Sequence, residues 1–178
     1  MSGEQRIAPV DPERAPAELG SLGTLNIFRT FARHPELFRS WLPFGRYLLA
    51  EGSLPAADRE LMILRTAERC GCSYEWGQHV RIALDVGVDR AAIDRVLEGP
   101  DAEGWTQHEA ALLRAVDELH ESSTLSDETW AQLAETYDDH LLMEATMLVG
   151  QYHLVAFALN AFGVELDEGL EQLPLAGA

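Results

Sequence analysis

The sequence predicts an all-α fold, a single-domain helical bundle of about seven or eight helices. Three observations predict it. Apolar residues recur at helical spacing almost throughout from Thr24 onward, glycine, proline and capping residues punctuate that pattern, and no stretch is left over for a strand. At 178 residues, with 47% hydrophobic and 24% charged residues, the chain is long and apolar enough for one genuine core.

Residues 1–20 are rich in Pro, Glu and Arg and show little periodicity, so an irregular N-terminal arm is expected there, with residues 21–178 as the one helical domain. Leu25, Phe28, Phe31 and Ala32 share a helix face. His34-Pro35-Glu36 ends that helix and starts another, with proline at a first-turn position, carrying Leu37, Trp41, Phe44 and Leu48. Gly52-Ser53-Leu54-Pro55 is the next break. A helix follows over about 56–69 with Gly71 at the corner beyond it, then one over about 73–86.

Gly87-Val88-Asp89 supplies a stop and a new cap for a short helix over about 90–97, which finishes at Gly99-Pro100. Thr106 with Glu109 reads as a capping box for a helix reaching His120. Ser126 can cap another short helix through Tyr137, and a long apolar helix begins near Asp139. Its stretch from Leu141 to Phe162 is interrupted by Glu144, Gln151, His153 and Asn160, so it reads as a buried helix and not as a membrane span. Because it is apolar around most of its circumference, it needs cover from neighbouring helices or another subunit, which makes a homo-oligomer an expectation.

Lys and Arg total 13 against 30 Asp and Glu, a formal charge of -17. Such a field repels phosphate backbones and anionic lipid, so nucleic acid and membrane surface are poor partners. The first thirty residues contain no apolar stretch of signal-peptide type, and a cytoplasmic location is expected. Cys70 and Cys72 are too close for a framework disulfide and too few for a zinc knuckle. A strained bridge between them stays open at this level.

The chemistry-bearing residues lie on two consecutive helices. Projection at the helical angle places Cys72, Glu75 and His79 within an arc of about 60°. Trp76, Val80, Ala83 and Val86 fall on the same side, and Tyr74, Gln78, Arg81 and Asp85 point away. On the preceding helix Glu60 lies among Ile63, Leu64 and Ala67, with Arg59, Arg65 and Arg69 outside that sector. Two carboxylates and an imidazole are therefore directed into apolar surroundings, where they must pair, change protonation state or face a polar cavity. A carboxylate beside an imidazole can divide labour as base and acid, and a thiol near such a pair can become a nucleophile. The plainer alternatives are an ordinary i,i+4 pair of Glu75 with His79 and a Cys72 that only packs.

Glu60-Leu-x-Ile-Leu-Arg65-x-Ala followed by Cys72-x-Tyr-Glu75-Trp-x-x-His79 resembles the carboxymuconolactone decarboxylase and alkylhydroperoxidase D-like family. The similarity runs on to Gly150-Gln-Tyr-His and Asn160-Ala-Phe-Gly-Val. Peroxidase members carry a glutamate, then a Cys-x-x-Cys followed by a histidine. Glu60, Cys72 and His79 fall on the glutamate, first cysteine and histidine of that motif, whereas Glu75 replaces the second cysteine, the one expected to attack peroxide. Decarboxylase-like members do without the cysteine pair. The resemblance implies an all-helical fold of the alkylhydroperoxidase D-like type and symmetric trimers or hexamers. It implies acid–base chemistry on a small carboxylated or lactone substrate, with Glu60, Cys72, Glu75 and His79 as site residues. Thiol-dependent peroxide reduction through Cys72 and a non-catalytic ligand-binding oligomer are the alternatives.

The remaining histidines suggest less. His140 and Glu144 are i,i+4 on the long helix but lack the partner pair of a carboxylate-bridged metal site. No HExxH, phosphate loop or dinucleotide fingerprint is present, so neither metal nor nucleotide cofactor is expected.

Overall fold

The computed structural model of the chain describes residues 5–14 and 17–174. Among them are eight α-helices and no strand. They are α1 (Asn26–Phe31), α2 (Pro35–Arg46), α3 (Ala56–Arg69), α4 (Ser73–Asp85), α5 (Arg90–Val96), α6 (Gln107–Ser122), α7 (Asp127–Ala134) and α8 (Asp139–Phe162). Local chemistry sets most of these boundaries. The Asp89, Ser126 and Asp138 side chains accept from the N–H groups of Ala92, Thr129 and Leu141, and Thr106 forms a complete capping box with Glu109.

The turn between α3 and α4 matters most for the site. Gly71 adopts φ 58°, Cys72 N–H donates to the Ala67 carbonyl at 2.8 Å and Gly71 N–H to that of Glu68 at 2.9 Å. This double bond pattern ends α3, and the left-handed residue it requires is why glycine stands at 71. The chain reverses at once, leaving Cys72 as the residue that precedes α4. The two helices then lie side by side.

α3 is the central helix, packed on α4, α5, α6 and α8. Leu61, Met62, Ile63 and Leu64 are all buried in the main core with Trp76, Ile93, Leu112, Val116 and Leu148. Its Arg65, expected outside the inward sector, is buried instead. The guanidinium donates to both oxygens of Asp117 at 2.8 Å and to the Val96 carbonyl at 2.9 Å, so α6 and α5 close over what a lone helix would expose. α8 is long and apolar enough to cross a bilayer by length and composition. Its buried residues, Leu142, Ala145, Leu148, Val149, Val155, Ala156 and Leu159, pack into the core clusters, which makes it a core helix.

Glu144 of α8 is consumed by architecture. Its carboxylate accepts from Tyr47 Oη at 2.9 Å, Ser53 N at 2.7 Å and Leu54 N at 3.1 Å, stapling the link before α3 to α8. A side chain at Gly52 would meet that carboxylate at 2.8 Å, so the close approach needs glycine. The Tyr47–Glu51 turn leading there is a π-type turn directly after α2, within reach of Pro43, which lacks an N–H for the helical ladder.

Of the arm expected over 1–20, residues 1–4 and 15–16 lie outside the described residues. The described part contains short 3-10 turns at Pro12–Arg14 and Ala17–Thr24, the second running past the arm's edge. It is tied down. Arg6 and Ile7 donate their backbone N–H groups to the Phe162 carbonyl, and Arg29 and Arg33 donate to the carbonyls of Val10 and Ala8.

Three projected orientations in and just beyond α4 do not hold. Tyr74 and Gln78 are buried, because the segment after α8 folds back over them: Asp167 accepts from Tyr74 Oη and, at 2.7 Å, from Gln78 Nε2. Tyr74 Oη also accepts from Ile27 N at 3.1 Å. Val86, projected inward, is exposed, since α4 has ended at Asp85.

Candidate active site

Glu60 on α3 and His79 on α4 meet where the antiparallel pair crosses. His79 Nδ1 lies 2.6 Å from Glu60 Oε2, and Arg59 Nε donates to Glu60 Oε1 at 2.9 Å. The other imidazole nitrogen, Nε2, is 3.5 Å from Glu75 Oε2, one turn back along α4. Glu60 is fully buried and Glu75 and His79 nearly so. Formally the four charges of Arg59, Glu60, His79 and Glu75 cancel, which is how two carboxylates can be buried here at all.

The electrostatics fix the protonation state. Burial opposes the imidazolium, but the charge and hydrogen bond of Glu60, and then those of Glu75, outweigh it and push His79 up to about 9. Burial likewise works against the Glu60 carboxylate, and His79 and Arg59 overcome it and hold Glu60 below the usual carboxylate range. At neutral pH His79 therefore carries both ring protons. Nδ1–H is committed to Glu60, leaving Nε2–H on the other edge.

A cavity of about 460 Å³ lies beside this cluster. His79, Glu75, Tyr152 and Gln151 supply its polar wall, and Ile27, Phe28, Trp41, Leu49, Ile82 and Val155 much of its apolar wall. Glu60 is not part of the wall; it stands behind the imidazole. Tyr152 of α8 meets the His79 ring edge to face, with centroids 5.0 Å apart, and so fixes the ring plane from the side opposite α3. Arg81 also borders the cavity, and its guanidinium donates to the neutral Gln78 Oε1 at 3.0 Å. Such a site can pass a proton to a small molecule and hold an anionic group beside it.

Three of the four residues singled out from the sequence thus converge: Glu60, Glu75 and His79. Cys72 does not join them on the cavity. It is fully buried in a second apolar cluster with Ile27, Tyr74, Val155, Ala156 and Leu159. Burial, and then the charge of Glu75, push its thiol up to about 12. Cys70 and Cys72 are both free, so the strained bridge left open from spacing is not formed. The projection missed Arg59, Arg81 and Tyr152. Tyr152 lies within the Gly150-Gln-Tyr-His stretch, whose one signal was a polar tract inside an apolar helix.

Residues 35–118 match the model of the carboxymuconolactone decarboxylase family. The resemblance read from the motif is shown. That segment contains Glu60, Cys72, Glu75 and His79, whereas Tyr152 lies beyond it. No curated protein matches the chain significantly.

Solved structures give the same fold. An uncharacterized peroxidase-related protein from Ralstonia eutropha JMP134, described as an alkylhydroperoxidase AhpD core, is 18% identical, with 93% of this chain and 94% of that one covered and a TM-score of 0.80. A peroxidase-related protein from Silicibacter sp. TM1040 is 12% identical over 93% and 94% of the two chains, with a TM-score of 0.79. A debrominase, Bmp8, solved with 2,3,4-tribromopyrrole, is 16% identical over 94% and 95%, with a TM-score of 0.78. The all-α fold is thus of the AhpD-like type.

Proposed function

We propose that this chain is an acid–base enzyme of the decarboxylase-like kind, acting on a small carboxylated or lactone substrate. The observation that carries this reading is the buried His79, held cationic between Glu60 and Glu75 in the wall of a largely apolar cavity. Nε2–H is the proton donor, Glu75 its exchange partner, and Glu60 the positioning residue behind the ring.

When a carboxylate leaves as carbon dioxide, its bonding electron pair stays on carbon and spreads into a conjugated carbonyl as an enolate. The fixed imidazolium faces that developing charge and then gives its proton to carbon. One proton from water, taken up through Glu75, restores His79. Arg81 is positioned to receive the anionic group of the substrate.

The thiol-peroxidase alternative has less behind it. Cys72 lies off the cavity with its thiol pushed up to about 12, and a carboxylate stands where the motif's second cysteine would be. Self-association is supported by the exposed Met143, Met147, Leu154 and Phe157 on α8, and a trimer or hexamer is what the family resemblance implies.

The test is turnover of carboxymuconolactone in deuterium oxide, following carbon dioxide release and deuterium in the product. The parent is expected to release one carbon dioxide per deuteron incorporated, and His79→Gln and Glu75→Gln to lose both signals together. A parent that leaves this and other small acidic lactones untouched, or a His79→Gln protein as fast as the parent, sinks the reading.

A further inference from the structure

A second group of chemically capable side chains lies away from the cavity, and the acid–base site does not use it. Cys70 ends α3, His120 sits in the last turn of α6 and His153 lies in the middle of α8. One ligand-type atom from each comes within 4.8 Å of the other two. Three helices far apart in sequence thus deliver a thiol and two imidazoles to one half-buried point. We propose that Cys70, His120 and His153 form a binding site for one divalent d-block cation of the zinc type.

The histidine geometry argues for a ligand. His153 Nδ1 lies 2.8 Å from the Val149 carbonyl, which can only accept, so Nδ1 carries the ring proton and Nε2 presents its lone pair. That lone pair points at His120 Nδ1, 2.9 Å away. An imidazole whose far N–H is held by a backbone carbonyl is the usual arrangement of a metal-ligating histidine. A cation between the two nitrogens replaces the single proton they share, and that proton moves to His120 Nε2. Tetrahedral zinc geometry asks for a nitrogen–nitrogen separation of about 3.3 Å, a small opening from the distance present.

Charge and donor type narrow the ion. The two imidazoles meet nitrogen to nitrogen at 2.9 Å, so both ring edges already converge on one point. Cys70 is a free cysteine, and a bound cation exchanges its S–H proton for a metal–sulfur bond. One proton leaves per ion bound, and nothing is oxidised or reduced. One sulfur and two imidazole nitrogens suit zinc, cobalt or copper and disfavour magnesium and calcium.

The cysteine is already anchored, since Asn160 Nδ2 donates to its carbonyl at 2.9 Å. Three protein ligands leave a fourth position for water on the solvent side. Bound there, the cation clamps the end of α3 to α6 and α8, one residue before the Gly71 turn that launches α4.

Cobalt(II) titration of the full-length, reduced protein tests this. The expected result is one ion per chain with a thiolate-to-cobalt charge-transfer band, about one proton released per cobalt bound to the metal-free protein at neutral pH, and zinc then displacing cobalt with no further proton release. Cys70→Ser should abolish the band. His120→Gln and His153→Gln should weaken binding more than about 100-fold, since losing a mere outer partner of a ligand costs up to that much. Cys72→Ser should bind as the parent does. Circular dichroism checks that each variant is folded. The absence of a band in the parent overturns the proposal without recourse to any variant, and so does a band that survives in Cys70→Ser or parental affinity in either histidine variant.

Discussion

Cys72 and His79 stand two turns apart on the same buried face, one just ahead of α4 and one within it, yet the protein treats them oppositely. Cys72 is enclosed by apolar side chains and the Glu75 carboxylate, and its ionisation is suppressed. His79 is as deeply enclosed, but with Glu60 at 2.6 Å and Glu75 at 3.5 Å, and its ionisation is favoured. Burial penalises charge in both places; the local counter-charge decides the outcome. Glu75 acts on both at once, disfavouring a thiolate at 72 and favouring an imidazolium at 79. A carboxylate at position 75 therefore opposes charge on the thiol and favours charge on the imidazole at the same end of the bundle.

The sharpest way to break that contrast is His79→Gln. Glutamine can keep a hydrogen bond to Glu60 but cannot serve as an acid, so the turnover rate should fall by about 100-fold or more. A rate unchanged by the substitution would place the chemistry elsewhere.

Glu60→Gln comes next and is read as stability. It removes the nearer counter-charge of the buried His79 and the partner of half-buried Arg59, leaving only Glu75 against the imidazolium, which should cost about 3 kcal/mol in urea unfolding, the low end for breaking a buried pair. The parent's pH dependence follows from the same pair. Because folding raises His79 from 6.5 to about 9, its contribution is complete below about pH 6.5 and is lost as pH rises through about 9. Folding lowers Glu60, so its contribution is present above 4.5 and is lost as pH falls through the folded value. The pair should stabilise most between those limits, and Glu60→Gln should flatten the alkaline limb. A parent whose stability is level between pH 6.5 and 9.5 contradicts the assignment.

Glu75→Gln sharpens the comparison with smaller effects in one direction. Removing that charge should lower the titration midpoint of the Cys72 thiol, read from alkylation rate against pH, and that of His79, read by NMR. Movement of only one would mean that Glu75 does not couple the two sites. The smallest effect belongs to Cys72→Ala, which should cost about 1 kcal/mol of packing and leave turnover within about twofold of the parent.

Much of this was legible before any coordinates. Thr106 with Glu109, Ser126 and Gly71 marked helix ends correctly because caps and turns are made by hydrogen bonds between near neighbours. The inward direction of Glu60, Glu75 and His79 followed from helical spacing. The misreadings share a cause: Arg65, Tyr74 and Gln78 are covered by α5, α6 and the segment after α8, which no single-helix projection contains.

The sequence by itself determined the helices, their caps, the common face of Glu75 and His79 and the family motif, because each depends on residues a few positions apart. Only the tertiary structure decided that His79 Nδ1 meets Glu60 while His79 and Glu75 line a cavity, that Tyr152 flanks the ring, that Cys72 is walled off, and that Cys70 reaches His120 and His153. Those relations depend on the crossing of helices distant in the chain, which is set by the packing of whole faces and carries no local signature.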